Sequence, residues 1–309
     1  MVGCRHLISV SKLSDEELFG LVERSVEFAV RPERYRNSLS GRVVGIYFRN
    51  LSTRTRTAFS AAALRLGAGI VSYGPGDLQE NTGETVRDTG EVLSRMLDAL
   101  VVRTAGPDAE YAAYAAQSRM PVINAMSKEE HPTQAIADLA TVRLELGGVD
   151  GARVVYIGEG NNSAVALALA LTRFKATELL VVTPPGYGLP PEVSAAAAEC
   201  ARASGSKFAE TRDLRGVKGE ADFVYTTRWQ TTGTSKADPS WRQVFEPYRV
   251  DEELLARFSG AAFMHDLPAH RGEEVSEAVL EGSASIAFDQ AENKLHSAAA
   301  ILEWCLEGN

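Results

Sequence analysis

Residues 43–57 read "VVGIYFRNLSTRTRT" and join an apolar run to a run of hydroxyl and guanidinium side chains. The first six residues are mostly β-branched or aromatic, which predicts a buried strand. The polar part, "STRTRT", lacks the glycine, proline or asparagine of a turn and the lysine and glutamate of a solvated charge run. It also begins a predicted Ala-rich helix. A polar segment between a buried strand and a helix is typical of the ligand-binding edge of a parallel α/β sheet.

The same alternation of strand and helix continues outward from this stretch. Further strands are predicted at "GIVSYG", "DALVVRT" and "MPVINA", and after Gly147-Gly148 at "RVVYIG", "ELLVVT", "ADFVYTT", "AAFMHDL" and "SIAFDQ". Helical patterns separate most of these strands, and "NKLHSAAAILEWCLE" predicts a final helix. Strands that alternate with helices form parallel sheets from βαβ units. The sequence therefore predicts an α/β protein with two doubly wound parallel-sheet domains and a boundary near Gly147.

The composition excludes several classes of protein. The chain has 309 residues, which suits two domains, and its net charge of -9 argues against general nucleic-acid binding. Its three cysteines are far apart, which favours neither a disulfide framework nor a zinc site and fits a reducing compartment. No apolar run is long enough to cross a bilayer, and the N-terminus shows no signal-peptide pattern. We therefore expect a cytoplasmic protein that binds neither nucleic acid nor membranes.

The "STRTRT" segment has the chemistry of an anion site. Backbone N–H groups at a helix start attract an anion, and the helix dipole adds to the attraction. The hydroxyls of Ser52, Thr53 and Thr55 are further donors, and Arg54 offers a forked cationic donor that suits phosphate oxygens. An ordinary helix cap with solvated arginines is the alternative, and composition alone does not decide between the two.

Two other strand and helix ends favour the anion site. Arg103 ends the strand "DALVVR", and His131 opens the helix "HPTQAIADL" with Gln134 one turn further on. Each of these residues alone would be interpreted as structural or as a surface charge. Together with "STRTRT" they supply phosphate donors and an amide–imidazole pair for a small polar group.

These residues carry a resemblance to a known family. The chain resembles the aspartate/ornithine carbamoyltransferase family along essentially its whole length, in the segments "FRNLSTRTRTAF", "ETVRDTGEVLSRMLDALVVRT", "EEHPTQAIADLAT", "GEGNN" and "MHDLPAHRGEEVSEAVLEG…IAFDQAENKLH". The resemblance implies transfer of a carbamoyl group from carbamoyl phosphate to an amine, with release of phosphate and without a metal or organic cofactor. It implies a homotrimer with active sites between subunits. It also implies a carbamoyl phosphate-binding domain at 1–146, an acceptor-binding domain at 147–290 and a helix at 291–309 that returns to the first domain.

The resemblance assigns the donor site residue by residue. Catalytic roles are expected for Arg54, Arg103 and His131, and for Asp266 from the departure on the acceptor side described below. Carbamoyl phosphate binding is expected for Ser52, Thr53, Arg54, Thr55, Gln79, Arg103, His131, Gln134 and Lys294. Gln79 aligns with a glutamine that reaches a neighbouring subunit's site in ornithine-type members. Lys294 stands where the family often has arginine, so the charge is kept and the forked geometry is lost.

The acceptor side departs from both well-known branches of the family. Acceptor binding is expected for Asn162, Thr227, Arg228, Gln230, Thr231, Asp266 and Leu267. The segment 227–233, "TRWQTTG", has Thr227 where the ornithine branch has aspartate, while its Arg228 and Gln230 resemble the aspartate branch. Asp266 stands where the two branches have cysteine or proline. One carboxylate is thus lost at 227 and another gained at 266, where it could anchor the attacking amine.

This rearrangement predicts an amino-acid acceptor that is neither ornithine nor aspartate, for example a short diamino acid. One alternative is an ordinary ornithine carbamoyltransferase with a drifted pocket, in which Asp266 has no role. Another is a non-catalytic paralogue that only binds carbamoyl phosphate. A nucleotide-binding site at "GEGNN" is a further hypothesis, but the segment lacks the full G-x-G-x-x-G pattern.

Overall fold

The computed structural model describes residues 4–79, 82–231 and 235–307 of the chain. The chain forms two compact units. Unit 1 comprises Met1–Ala140 and Asn293–Asn309, and unit 2 comprises Thr141–Glu292. The C-terminal segment therefore belongs to the same unit as the N-terminus. The functional domain boundaries expected near residues 146 and 290 stay predictions.

Unit 1 contains a parallel sheet of four strands in the spatial order β2-β1-β3-β4. These strands are β1 (Val43–Phe48), β2 (Gly69–Tyr73), β3 (Ala99–Arg103) and β4 (Val122–Asn124). β1 and β3 are central, and every residue of β3 is buried, as expected for a parallel sheet covered on both faces. The chain leaves β1 toward β2 on one side and returns to β3 on the other. The carboxyl ends of β1 and β3, where Phe48 pairs with Arg103, therefore form a topological switch point.

The helices of unit 1 begin where the sequence supplies suitable first-turn residues. α1 (Asp15–Val30) has Ser14 as its N-cap, and Ser14 and Glu17 form a capping box. The helices that follow in unit 1 are α2 (Arg54–Arg65), α3 (Val86–Leu93), α4 (Asp108–Tyr114) and the first part of α5 (Pro132–Leu146). The core of this unit includes Tyr47 and Tyr114, whose rings pack edge to face at a centroid distance of 6.5 Å.

The last helix packs back on unit 1, as the resemblance implies. α11 spans Ala287–Leu306, and its C-terminal part lies beside the N-terminal segment and α1. Arg24 Nε donates to Glu303 Oε2 at 2.6 Å, and Arg5 Nη1 donates to the carbonyl of Trp304 at 3.3 Å. These contacts and the burial of Ile301 and Leu302 fix the returning helix on the first unit.

Unit 2 contains a parallel sheet of five strands in the spatial order β7-β6-β5-β8-β9. Its strands are β5 (Arg153–Ile157), β6 (Glu178–Val182), β7 (Lys207–Thr211), β8 (Phe223–Thr226) and β9 (Ala262–His265). Its helices are α6 (Asn162–Leu171), α7 (Pro191–Ser204), α8 (Trp241–Phe245), α9 (Glu252–Leu255) and α10 (Glu277–Leu280). The strand order reverses between β5 and β8, so the switch point of this unit lies at their carboxyl ends.

The structure corrects part of the predicted element order. The segment "SIAFDQ" is not a strand, because α11 already begins at Ala287, and Ser285 only forms an isolated bridge with Phe263. Gln290 N donates to the carbonyl of Ile286 at 2.8 Å, which is a helical hydrogen bond. β7 was missed because this edge strand is half exposed and has no apolar run. The short helices α4, α8, α9 and α10 were missed too, since each is under ten residues long.

Within the described part of the chain, no helix combines the length and the apolar character that crossing a membrane requires.

Candidate active site

The donor residues of unit 1 meet at the switch point of its sheet. Arg103 is the last residue of β3, Thr55 lies in the first turn of α2, and His131 directly precedes α5. Arg103 Nη1 lies 3.4 Å from Thr55 Oγ1 and 3.4 Å from His131 Nε2. All three side chains are buried. The structure thus brings together residues that are far apart in the sequence, as the prediction from strand ends requires.

His131 is a neutral imidazole in this cluster. Burial lowers its pKa well below the ordinary value, and the charges of Arg103 and Lys294 lower it further. Arginine has only donors, so the contact with Arg103 requires a lone pair on His131 Nε2. The ring proton is therefore on Nδ1, which lies 3.2 Å from Thr133 Oγ1 and donates to it. A neutral ring supplies a hydrogen-bonding group without a further buried charge.

Gln134 is held from both sides of its amide. Its Nε2 donates to Asp138 Oδ1 at 2.7 Å, and its Oε1 accepts a hydrogen bond from Lys294 Nζ. Gln134 and Lys294 are buried, and Asp138 is fully buried. The lysine that replaces the family's usual arginine therefore lies within the donor cluster and orients Gln134.

The start of α2 has the features of an anion site. α2 begins at Arg54, and its N-cap Thr53 makes no side-chain capping bond. The first backbone bond of the helix runs from Thr57 N to the Thr53 carbonyl at 3.1 Å, so helix geometry leaves the earlier N–H groups without intrahelical acceptors. Ser52 and Arg54 are half-buried and Thr53 is exposed. The side chain of Arg56 is bonded to β2 instead, since its Nη2 donates to Ser72 Oγ at 2.8 Å.

Glu130 is a buried carboxyl group next to His131 that the sequence reasoning missed. Its Oε1 accepts from Val10 N at 2.8 Å, and its backbone N–H donates to Ser127 Oγ at 3.0 Å. Burial raises its pKa to about 7, and hydrogen bonds from Ser9 and Val10 offset part of that rise. Glu130 thus ties the N-terminal segment to the turn that presents His131. In the sequence, the only signal for this residue is the acidic pair Glu129-Glu130 directly before "HPTQ".

Gln79 is bonded through its backbone to Thr82. It is exposed, between β2 and α3, and its carbonyl accepts from Thr82 N at 3.0 Å and from Thr82 Oγ1 at 2.7 Å. Its expected role in a neighbouring subunit's site stays a prediction.

In unit 2, three of the predicted acceptor residues, Asn162, Thr227 and Asp266, lie around the start of α6. Asn162 is the first residue of α6 and is buried. The preceding Asn161 caps the helix, because its side chain accepts from Ser163 N at 3.0 Å and from Ala164 N at 3.1 Å. The "GEGNN" segment is therefore a helix-capping loop at the carboxyl end of β5. We call residues 158–161 the β5–α6 loop.

Thr227 is buried and internally bonded. Its Oγ1 lies 2.9 Å from Tyr156 Oη and 2.9 Å from Asn161 Nδ2. Its hydroxyl therefore joins the end of β8 to the β5–α6 loop. The neighbouring predicted residues Arg228, Gln230 and Thr231 are half-buried, and Thr232 and Gly233 lie outside the described residues.

Asp266 follows β9 and leans toward α6. Its Oδ2 accepts from Ser163 Oγ at 2.9 Å. Its Oδ1 lies 3.6 Å from His265 Nδ1, but that nitrogen accepts a hydrogen bond from Leu267 N at 2.8 Å and so carries no proton. The proton of His265 is on Nε2, which donates to Glu274 Oε1 at 3.2 Å. The His265 ring therefore does not donate to Asp266. Leu267, the last predicted residue, is half-buried with a φ of 53°.

A group of potential metal ligands lies shortly after β9 in the sequence. Among the described residues, His270, Glu273 and Glu274 offer ligand atoms within 4.8 Å of one another. Glu274 Oε1 is already engaged, since it accepts from both His265 Nε2 and the backbone N–H of His270. None of the three belongs to the predicted donor or acceptor set.

The fold and the donor cluster fit an α/β transferase whose cationic groups lie beside a helix N-terminus. Comparison with known families gives the same class. Residues 5–144 match the aspartate/ornithine carbamoyltransferase carbamoyl-P binding domain, and residues 150–305 match the Asp/Orn binding domain. The chain belongs to the aspartate/ornithine carbamoyltransferase family, and the protein is a carbamoyltransferase.

Individual relatives match over almost the whole chain. Ornithine carbamoyltransferase from Acidothermus cellulolyticus is 39% identical over 306 residues, which are 98% of this chain and 97% of that protein. The anabolic ornithine carbamoyltransferase from Pseudomonas aeruginosa is 38% identical over 312 residues, which are 99% of this chain and 98% of that protein. The solved ornithine carbamoyltransferase from Pyrococcus furiosus superposes with a TM-score of 0.93 at 35% identity, covering 100% of this chain and 99% of that chain.

Proposed function

We propose that the protein transfers the carbamoyl group of carbamoyl phosphate to the side-chain amine of ornithine and releases phosphate. The observation that carries this proposal is the near full-length similarity to proteins named ornithine carbamoyltransferase, at 38% to 39% identity for the two curated relatives described above. The similarity favours ornithine over the acceptor expected from the sequence, which was neither ornithine nor aspartate.

The start of α2 would hold the phosphate group. Ser52, Thr53 and Thr55 offer hydroxyl donors, Arg54 offers a forked cation, and the helix offers N–H groups and the positive end of its dipole. A phosphate leaves most easily as a dianion, so donors that favour the dianion lower the barrier for its departure.

Arg103 and His131 would act on the carbamoyl carbonyl group. Attack by the amine forms a C–N bond and moves an electron pair to the carbonyl oxygen, which becomes an oxyanion. The Arg103 guanidinium stabilises that charge, and it already lies 3.4 Å from Thr55 Oγ1. Collapse of the oxyanion breaks the bond between carbon and the phosphate oxygen, and phosphate leaves with the bonding pair. Gln134, oriented by Lys294 and Asp138, would bond the carbamoyl amide.

Asp266 would anchor the attacking amine. An ammonium must lose one proton before its lone pair can attack, and the product nitrogen loses a second proton after the C–N bond forms. A carboxylate beside the amine orients the cation and lowers the cost of placing it in a partly buried site. Asn162 and Arg228 would bind the amino-acid head group of the acceptor.

A shorter diamino acid is the second candidate acceptor. The observation that favours it is the location of the carboxylate, which this chain has at Asp266 and not at Thr227. Asp266 accepts from Ser163 at 2.9 Å at the start of α6, whereas Thr227, where the ornithine branch has aspartate, is buried and bonded to Tyr156. A carboxylate at position 266 instead of 227 suits an ammonium at a different distance from the head group.

An acceptor panel tests both candidates. Ornithine, 2,4-diaminobutyrate, 2,3-diaminopropionate and aspartate are each assayed with saturating carbamoyl phosphate, by phosphate release and product mass. A kcat/KM of about 10⁴ M⁻¹s⁻¹ or more with ornithine supports the proposal. A preference of about tenfold or more for a shorter diamino acid supports the second candidate. If no amine is carbamoylated while carbamoyl phosphate raises the Tm, the protein is the carbamoyl phosphate-binding paralogue.

We also propose that the enzyme works as a homotrimer to which Gln79 contributes across a subunit interface. The exposure of Gln79 supports this arrangement. A subunit-mixing experiment that tests it is given in the Discussion.

A further inference from the structure

Lys236 is a buried ammonium group in unit 2. Its side chain is only 5% exposed and forms an ion pair with the carboxylate of Glu159. Its Nζ also lies over three aromatic rings, 4.7 Å from the centroid of Tyr187, 4.9 Å from Phe245 and 5.4 Å from Trp241. Aromatic faces and a carboxylate together replace the water that a buried cation loses. A lysine held in this way is part of the packed structure and not a solvated surface charge.

The same rings hold the predicted acceptor segment. We call Tyr187, Trp229, Trp241 and Phe245 the aromatic cluster. Phe245 is its centre, with ring centroids at 4.7 Å from Tyr187, 5.5 Å from Trp241 and 5.7 Å from Trp229. Trp229 is buried and stands between Arg228 and Gln230 in the chain. The position of Trp229 in the cluster therefore determines where these two neighbours lie.

The β5–α6 loop is tied to both sides of this segment. On one side, Asn161 Nδ2 donates to Thr227 Oγ1 at 2.9 Å, and Thr227 bonds Tyr156 Oη at 2.9 Å. Tyr156 Oη in turn donates to the carbonyl of Glu159 at 2.7 Å. On the other side, the Glu159 carboxylate pairs with Lys236. Thr227, the first residue of the acceptor segment, and Lys236, which follows the segment in the chain, are both bound to the same loop.

A backbone contact joins the loop to the aromatic cluster as well. Gly160 N donates to the carbonyl of Tyr187 at 2.8 Å. A Cβ at Gly160 would lie 2.4 Å from Gly188 C and from Leu189 N, so only glycine allows this approach. The loop that presents Asn162, the cluster that holds Trp229 and the lysine between them therefore form one connected structure.

We propose that Lys236 is a positioning residue for the acceptor: its ammonium clamps the aromatic cluster and the segment Thr227–Thr231 to the β5–α6 loop. This inference rests on the proposed function, because it assumes that Arg228 and Asn162 bind the amino-acid acceptor. Lys236 does not touch the acceptor itself. It sets the distance between the two groups of acceptor residues, and so it determines which acceptor length binds best.

The positive charge of Lys236 is essential to this role. Burial raises the pKa of Glu159, and the charge of Lys236 lowers it in return, so the pair is electrostatically linked. Methionine in place of Lys236 would still pack against the rings, but it would leave a carboxylate in a site that is 20% exposed without its cation. The carboxylate would then turn toward water and release the loop from the cluster.

Steady-state kinetics of Lys236→Met test the clamp, with the best acceptor of the panel as substrate. We expect the KM for the acceptor to rise about tenfold or more, while the KM for carbamoyl phosphate stays within about twofold of wild type. Lys236→Arg, which keeps the charge, should recover much of the loss. Lys207→Met is the matched control, because Lys207 forms an ion pair with Glu178 in the same unit but is 78% exposed. It should match the wild type in both constants.

A readout without catalysis keeps the proposal testable if no acceptor is found. Trp229 and Trp241 are two of the chain's three tryptophans and both are buried. Lys236→Met should therefore increase acrylamide quenching of tryptophan fluorescence, and Lys207→Met should not. If Lys236→Met does not fold, Glu159→Gln removes the same ion pair and should give the same selective effect.

Three outcomes would overturn the clamp. They are an unchanged acceptor KM in Lys236→Met, an equal rise of both KM values, and quenching identical to wild type. Failure of the proposed function looks different. In that case wild type and Lys207→Met carbamoylate no amine, while the quenching difference between wild type and Lys236→Met remains.

Discussion

Arg103 donates to His131 inside the first unit, with Arg103 Nη1 at 3.4 Å from His131 Nε2 and both side chains buried. The contact places a permanent cation beside an imidazole whose pKa is already lowered by burial, which keeps the ring neutral. The donor cluster therefore concentrates positive charge on Arg103 and Lys294 and leaves His131 as a neutral hydrogen-bonding group. An incoming anion is attracted by the two cations and does not have to compete with a histidine–carboxylate pair.

Arg54→Ala should reduce kcat/KM for carbamoyl phosphate by about 10²- to 10³-fold, because it removes a cationic donor from the phosphate and the developing oxyanion. Arg56→Ala is the matched control. Arg56 lies two residues further along α2 but bonds Ser72, so its loss should change kcat/KM by less than about threefold. Both variants should keep the Tm of the wild type. Near wild-type turnover in Arg54→Ala would exclude the assignment of Arg54.

Asp266→Asn should raise the KM for the acceptor and lower kcat/KM by about 10- to 100-fold, since a hydrogen bond to a charged group contributes about 1.5–3 kcal/mol. The KM for carbamoyl phosphate should change little. Asp213→Asn is a suitable control, because Asp213 is exposed and pairs with Arg215 in the same unit. If Asp266→Asn uses ornithine as well as the wild type does, Asp266 has drifted and has no role in the reaction.

A mixture of two inactive variants should recover activity if the sites are shared. Gln79→Ala and Arg54→Ala should each lose most turnover. After subunit exchange, a hybrid trimer contains a site with an intact Arg54 from one chain and an intact Gln79 from another. Turnover of the mixture should then exceed the sum of the separate variants. A fully active monomer by light scattering would rule out the shared site.

Glu130→Gln should change how stability depends on pH. The Glu130 pKa rises from 4.5 to about 7 in the folded protein, so the folded state binds the proton more tightly than the unfolded state. The free energy of unfolding of the wild type therefore falls as pH rises from about 4.5 to about 7, by up to about 3 kcal/mol from this group. Glutamine does not ionise, so the variant lacks this fall.

Urea unfolding of both proteins at pH 5 and pH 8 measures the effect. The stability of Glu130→Gln relative to wild type should increase between the two pH values. The lowered pKa of His131 acts in the opposite direction, since it reduces stability as pH falls below about 6.5. That contribution is common to both proteins and cancels in the comparison. A difference that does not vary with pH would contradict the raised pKa of Glu130.

Much of the fold could be predicted from the sequence because its central strands are continuous apolar runs. β3, "ALVVR", is buried at every position, and α1 carries a complete capping box at Ser14. Prediction failed where local pattern and tertiary contact disagree. The half-exposed edge strand β7 has no apolar run. "SIAFDQ" was predicted as a strand, but its last four residues form the first turn of α11.

The predicted donor residues follow the same logic, because parallel topology brings the carboxyl ends of β1 and β3 to one edge. Arg103, Thr55 and His131 could therefore be grouped before any distance was known. The acceptor residues are a different case. Thr227 was expected to face the acceptor, but its hydroxyl lies 2.9 Å from both Tyr156 Oη and Asn161 Nδ2, which no sequence pattern indicates.

The sequence by itself determined the fold class and the family, and it predicts a set of donor residues, because strand periodicity and motif spacing can be recognised along the chain. Only the tertiary structure decided which atoms of those residues are engaged. It shows that Lys236 and Glu159, 77 positions apart, form a buried ion pair, and that Glu130 bonds Val10 across 120 positions. Such contacts depend on how loops from different βα units pack. A single buried pair between distant residues produces no periodic pattern in the sequence, so it cannot be predicted from one.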